Sequence, residues 1–324
     1  MKRLAIIDGN AILHRAYHAL PPLTNRSGEL VNAVYGFSTM LLKVVDDLKP
    51  DFLAVAFDTE KPTFRQMEYL GYQSQRPRMA DELAGQIEKV HEVLDAFGIP
   101  IYAVPGFEAD DVIGTLAAQA ARINTNTTNK YQFPIETIIV TGDRDMMQLV
   151  GPKIKIYAPV RGMSEAEMFD EKKVEAKLGV PPKQVVDLKG LTGDASDNYP
   201  GVPGVGPKTA SSLLRQYKTL PEIYKHLDDL PEVLSRKLLE GQELANLSQK
   251  LAKIVTNVPV KLNLEKCQFD LTEEEKTRVV QKFKELGFKS LVARFGGENK
   301  KFAAPKEVKS KSQKLKENSQ QGLF

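Results

Sequence analysis

Cysteine occurs once in 324 residues, at Cys267, so no disulfide can form within the chain and a reducing, cytoplasmic setting is expected. Apolar runs are short. None approaches the roughly 20 residues that a membrane-spanning helix requires. Met1-Lys2-Arg3 is followed by only Leu4-Ala5-Ile6-Ile7 before Asp8, which leaves no apolar core for a secretory signal. Histidine is scarce too. His14 and His18 share a helical spacing but lack a third nitrogen or sulfur ligand for zinc, and Cys267 has no partner for thiol catalysis.

Strong charge of either sign is also missing from the body of the chain. The formal net charge is +3, but seven lysines and three glutamates beyond residue 297 carry +4, leaving the rest near −1. A nearly neutral body binds nucleic acid only where its acids gather in one place and its bases in another. The end of the chain, rich in Lys, Ser, Gln and Asn, has the composition of a disordered basic tail.

What the sequence does contain is a series of strand-like runs that stop at acids. Residues 3–7 end at Asp8-Gly9, residues 51–57 at Asp58, and residues 136–140 run through Thr141-Gly142 to Asp143 and Asp145. A further strand at residues 101–104 feeds the stretch Gly106 to Gly114, where Glu108, Asp110 and Asp111 crowd the start of a helix. Helical periodicity over residues 32–48, 80–97 and 110–122 separates these runs, so the pattern is β-α-β-α and predicts a mostly parallel sheet. In such sheets sites form beyond the carboxyl ends of the strands. One strand-end aspartate is ordinary turn and cap chemistry; acids at all four ends are not. Carboxylates without accompanying His or Cys suit hard ions, Mg²⁺ or Mn²⁺. Their number suggests at least two ions acting on a phosphoryl centre.

Two further stretches point to nucleic acid. Lys61, Phe64, Arg65, Tyr69, Tyr72, Arg76 and Arg78 interleave bases and aromatics, a pattern able to grip phosphates and stack single-stranded bases. The paired acids Asp194 and Asp197 run into Gly201-Val202-Pro203-Gly204-Val205-Gly206-Pro207-Lys208-Thr209-Ala210. Glycine turns opening a helix let backbone N–H groups approach a phosphate, and this run looks like a helix-hairpin-helix motif.

Taken together, Ile7-Asp8-Gly9-Asn10, Phe57-Asp58, Thr63-Phe64-Arg65, Gly106 to Gly114, Thr141-Gly142-Asp143-Arg144-Asp145 and Gly193 to Ala210 resemble the bacterial 5′→3′ exonucleases of the flap-endonuclease family. The likeness to the nuclease portion of bacterial DNA polymerase I extends over about residues 1–295, and with no polymerase region following, a stand-alone form is expected. The resemblance implies a PIN-like α/β nuclease core with a helical arch at residues 1–180, a helix-hairpin-helix-type duplex-binding region at 181–296, and the tail at 297–324. It implies a metal-dependent 5′→3′ exonuclease and structure-selective 5′-flap endonuclease, a monomer, acting on DNA with flaps, nicks or RNA primers in replication and repair. Metal ligands would be Asp8, Asp58, Glu108, Asp110, Asp111, Asp143, Asp145, Asp194 and Asp197. Catalysis would rest on Asp8, Asp58 and Arg76. DNA would be held by Lys61, Phe64, Arg65, Tyr72, Arg76, Arg78, Gly204, Gly206, Lys208 and Thr209, with K⁺ at the hairpin.

The arch departs from the family pattern. Where Tyr-Lys-x-x-Arg is usual, this chain has Tyr72-Gln73-Ser74-Gln75-Arg76, and Gln73 supplies no charge. Single preorganised donors are worth about 10²- to 10³-fold, so the alternative reading is a catalytically weak or silent DNA-structure-binding scaffold. A phosphatase with a nucleophilic strand-end aspartate fits less well, because Asp-x-Asp fails at Asn10. The final residues Gln320, Leu323 and Phe324 resemble the peptide by which bacterial replication proteins dock on the sliding clamp. A flexible tether presents such a ligand well.

Overall fold

The computed structural model describes residues 1–123, 133–161 and 165–295. The basic tail, with Gln320, Leu323 and Phe324, lies outside the described residues.

Six strands form one sheet: β1 (Lys2–Asp8), β2 (Phe52–Ala56), β3 (Ile101–Tyr102), β4 (Ile135–Val140), β5 (Ile154–Arg161) and β6 (Glu165–Phe169), in the order β3-β2-β1-β4-β5-β6. All neighbours are parallel except β5 and β6. The four acid-tipped runs are therefore strands as expected, although the run at residues 101–104 shrinks to a two-residue strand. The antiparallel β6 was not expected: its alternation, with Ala166 and Met168 packed against one core, spans only the five residues Glu-Ala-Glu-Met-Phe.

Central strands alternate their side chains between two cores. Leu4 and Ile6 face one side, with Ala54, Ala56, the helix Ala109–Arg122 and apolar residues from Val185 to Cys267. Ala5 and Ile7 face the other, against the helices Gly9–Ala19, Asn32–Leu48 and Asp81–Ala96. Into this second core return Val279, Phe283, Leu286, Phe288 and Leu291 from the helices Glu273–Glu285 and Lys289–Phe295 and the turn joining them. Each fully buried side chain of this size contributes roughly 1.5–3 kcal/mol, so these last helices are integral to the sheet's packing.

The expected helical arch takes a different form. Between Asp58 and Asp81 stand one short helix, Phe64–Glu68, a series of turns and an extended stretch. Tyr72 packs with Tyr199, Leu251 and Ala252 in a small core of its own, which draws the segment down onto the helical region.

Candidate active site

Strand order reverses at β1, with β2 on one side and β4 on the other, and such a reversal opens a crevice at the carboxyl ends of the strands. Asp8, the last residue of β1, stands in it. Its Oδ1 accepts the Ala11 N–H at 2.9 Å, capping the helix Gly9–Ala19, while Oδ2 accepts the Thr141 hydroxyl at 2.7 Å from the end of β4. Asp58 accepts the Ala109 N–H at 2.7 Å, and its own N–H donates to Asn10 Oδ1 at 2.9 Å. Both acids thus sit at helix N-termini, where unpaired N–H groups and the helix dipole favour negative charge. Glu108 and Asp110 enter from the start of the helix Ala109–Arg122, and Asp143 from the turn after β4, its N–H donating to Thr141 Oγ1 at 3.0 Å.

Among the described residues, the one side-chain cation against this first group is Arg65, 3.0 Å from Glu108. Burial pushes the Asp8 carboxyl up to about 7, and the charges of Asp58 and Asp143 add to it. Glu108 also rises to about 7 through burial, against the pull of Arg65. Asp110, which has no hydrogen-bond donor among the described residues, is raised well above the carboxylate range by burial and then by Asp143, Asp8 and Glu108.

The second group contains its own cations. Lys189, on the helix Val185–Thr192, places Nζ 2.5 Å from Asp145 Oδ1 and also contacts Asp194 Oδ2. Burial pushes Asp145 up to about 6 despite Lys189, whereas at Asp194 the contacts of Lys189 and Ser196 overcome burial and hold the carboxyl below its usual range. Asp197 Oδ1 accepts Arg76 Nη2 at 2.6 Å and Gln73 Nε2 at 3.2 Å. The Gln73 N–H donates to the Asp197 carbonyl at 2.9 Å, and Asn198 Nδ2 donates to the Gly71 carbonyl at 2.7 Å. Tyr72 stacks on Tyr199 with centroids 6.4 Å apart. The loop that carries Asp194 and Asp197 closes on two glycines with positive φ: a Cβ on Gly201 would lie 2.2 Å from the Gly193 nitrogen.

Three expected contact residues have other partners. Arg65 is 2% exposed, with its guanidinium bound to Asp111, Glu108 and two backbone carbonyls, so it is enclosed and not a DNA contact. Asp111 is fully buried; both its oxygens are taken by Arg65, with Val255 N–H and Glu108 N–H as further donors, which leaves it no face toward the crevice. Tyr72 is buried and donates to Glu108 Oε2 at 3.2 Å, so its ring is not open to a base. Phe64 is half-buried against Phe107. Lys61, Arg76 and Arg78 are exposed. In the glycine hairpin Gly204 has φ 78°, Gly206 precedes the helix Pro207–Tyr217, Lys208 is exposed and Thr209 half-buried. Sequence reading missed Thr141, Lys189 and Lys237, the last lying against Gly204. The one available signal was Lys189, a lone cation in the mainly apolar run Val185-Val186-Asp187-Leu188-Lys189-Gly190-Leu191.

Among the described residues no three acidic, His or Cys side chains converge on one point; the carboxylates line the crevice separately. Their chemistry still fits hard divalent ions. The donors are all oxygen, and the carboxyls of Asp8 and Asp110, raised by burial and then by neighbouring acids, have no side-chain cation beside them among the described residues to hold them ionised.

The chain thus joins a mostly parallel sheet, with carboxylates at its switch point, to a helical region that carries a glycine-rich turn. Family models match nearly the whole described chain: the 5′-3′ exonuclease N-terminal resolvase-like domain over residues 3–179 and the 5′-3′ exonuclease C-terminal SAM fold over residues 180–275. The chain belongs to the 5′-3′ exonuclease family. It is 41% identical over 292 residues to DNA polymerase I of Bacillus caldotenax and 38% identical over 296 residues to that of Bacillus subtilis, covering 90% and 91% of this chain. It spans about a third (32%) of the length of these relatives. Among solved structures, the fold is shared with a bacteriophage T5 flap endonuclease in complex with DNA and metal ions, at a TM-score of 0.62 and 16% identity, covering 92% of this chain and 97% of that one. The catalytic core of Rad2 in complex with DNA substrate has a TM-score of 0.56 at 18% identity, covering 90% and 92%.

Proposed function

We propose that this chain is a divalent-metal-dependent 5′→3′ exonuclease and 5′-flap endonuclease that cuts DNA near the junction of a 5′ single strand with duplex, removing primers and flaps in replication and repair. The observation that supports this reading most is the unbalanced carboxylate group at the switch point, built from the ends of β1, β2 and β4 and the start of one helix. Asp8, Asp58, Glu108, Asp110 and Asp143 would hold one Mg²⁺ or Mn²⁺; Asp145, Asp194 and Asp197 would hold a second. When bound there, such ions supply a nucleophilic water and neutralise charge on the leaving oxygen.

The chain's own residues do the rest. Neutral donors, the Ala11 and Ala109 N–H groups and the Thr141 hydroxyl, fix the first group's oxygens in place, so little reorganisation is needed when charge develops. Arg76, exposed at the lip of the crevice, leaves Asp197 and grips the phosphate. Lys61 and Arg78 steer the single strand. Gly204, Gly206, Lys208 and Thr209 hold duplex phosphates, with K⁺ as a bridging ion. Residues 1–180 form the nuclease core, 181–296 the duplex-binding region, and 297–324 a tail whose Gln320, Leu323 and Phe324 dock on a sliding clamp. The protein works as a monomer.

The test is direct. With Mg²⁺ and a 5′-labelled flap, the purified protein should release short 5′ products, and Asp143→Ala should release none. Tight flap binding without cleavage in either Mg²⁺ or Mn²⁺ would favour the scaffold reading, whose support is the uncharged Gln73 held on Asp197. Clamp docking is checked with a peptide covering residues 314–324, whose binding should vanish on Leu323→Ala/Phe324→Ala.

A further inference from the structure

We infer that Arg65 is a positioning residue that sets the Glu108 carboxylate against the helical region, and that Asp111 is its counter-charge and not a metal ligand. This rests on the nuclease reading above.

A guanidinium has five N–H donors in a planar fork, and here all five are occupied. Nε donates to the Leu251 carbonyl at 2.8 Å. Nη1 donates to Glu108 Oε2 at 3.0 Å and Asp111 Oδ2 at 2.7 Å, and Nη2 to Asp111 Oδ1 at 2.8 Å and the Lys253 carbonyl at 2.9 Å. The Phe64 ring lies 4.6 Å from its central carbon. No donor remains for a phosphate. The partners come from three segments far apart in sequence: the base of the residue 59–80 segment, the acidic helix start, and the exit from the helix Gln242–Ala252.

Asp111 closes the arrangement from the other side. Besides the two-pronged pair with Arg65, its Oδ1 accepts the Val255 N–H at 2.8 Å and its Oδ2 accepts the Glu108 N–H at 3.2 Å. The same carboxylate thus holds the backbone of Glu108 while Arg65 holds its side chain. Helix geometry separates the two adjacent acids: Asp110 faces the crevice without a donor, and Asp111 turns inward to Arg65. A further glycine fits this packing, since a Cβ on Gly114 would come 2.7 Å from Ile254. The helix that carries the acids is therefore registered directly against residues 251–255. Lysine, with three donors and no fork, cannot reproduce these contacts.

Two measurements on the full chain separate positioning from DNA contact or ion ligation. The first is the salt dependence of 5′-flap DNA binding in EDTA for wild type and Arg65→Gln, which removes the charge. Loss of a phosphate contact lowers the slope of log affinity against log salt by about 1; the expected result is an unchanged slope. The second is Mn²⁺ binding without DNA, by calorimetry and electron paramagnetic resonance. Arg65→Lys should weaken Mn²⁺ affinity by about 10-fold, the size usual for residues that orient ligands. Asp111→Asn should bind as many ions as wild type, while Asp110→Asn loses one. Where a single variant fails to fold, the pair Arg65→Gln/Asp111→Asn replaces the ion pair with two amides and is measured in the same way. A reduced salt slope in Arg65→Gln, or an ion lost in Asp111→Asn, overturns the inference. Failure of wild type to prefer flap DNA over plain duplex counts against the nuclease reading instead and leaves the ion counts readable.

Discussion

Asp8 and Asp58 are held by neutral donors and Asp110 by none, whereas Asp145, Asp194 and Asp197, in the same crevice, lie against Lys189 and Arg76. Neutral N–H and hydroxyl donors orient a carboxylate but do not cancel its charge. Burial, with mutual repulsion of roughly 4 kcal/mol for carboxylates about 4 Å apart at an effective dielectric near 20 added to it, raises Asp8 and Asp110 of the first group. In the second, the cations hold Asp194 down but only moderate the rise that burial causes at Asp145 and Asp197. On the proposed reading, an ion entering the first group would displace protons, and one entering the second would displace the Lys189 ammonium or the Arg76 guanidinium, freeing Arg76 for a phosphate.

This contrast is open to attack. The largest effect is expected for Asp110→Asn, which removes the least compensated charge: cleavage should fall by about 10²- to 10³-fold, while the ion-free protein melts at a higher temperature because a costly buried charge has gone. A lower Tm would mean that Asp110 is balanced after all. Next, Lys189→Met strands Asp145 and Asp194. Removing one partner of a largely buried pair costs about 3 kcal/mol, so unfolding in EDTA should come earlier, with saturating Mn²⁺ recovering more stability than in wild type. Equal recovery in both would show that Lys189 and the ion do not compete.

A pH experiment probes the first group alone. Asp8 and Glu108 rise from 3.8 and 4.5 to about 7 on folding, so between those values the folded chain binds more protons than the unfolded one. Their contribution to stability is complete below about pH 4 and is lost as pH rises through 7. Calorimetry in EDTA should therefore show Tm falling from pH 5 to pH 7.5, with Mg²⁺ suppressing most of the fall. A rising Tm would contradict it. The smallest effect is expected where Gln73 meets Asp197: Gln73→Ala removes one side-chain hydrogen bond to Asp197, worth about 1 kcal/mol, while Arg76 remains. Gln73→Lys restores the family's charge, and its single-turnover rate reports whether Arg76 already covers that position.

The crevice was legible in the sequence because its main signal is local. A buried strand ending in an acid needs no distant partner to be seen, and Asp8, Asp58 and Asp143 each follow one. The helix at Asn32–Leu48 was equally clear from its apolar periodicity. The division into two groups was not legible, because it depends on Gln73 and Arg76 meeting Asp197 across 124 and 121 residues. Arg65 misled for the same reason. Among bases and aromatics it reads as a surface residue, and only its partners at Leu251 and Lys253 draw it inside. The antiparallel β6 escaped because its alternation of Ala166 and Met168 with two glutamates is too short to stand out.

The return of residues 273–295 to the sheet gives the molecule a topology closer to a bucket and handle than to beads on a string. The segment running from Val185 to Cys267 is anchored at both ends to the body that carries the acids, once through β5 and β6 and again through Phe283 and Phe288. A part fastened at two points cannot swing freely about a single tether. Whatever that segment grasps is presented to the crevice at a nearly constant reach, and a cut site a fixed number of nucleotides from the junction would be a matter of carpentry before it is one of chemistry.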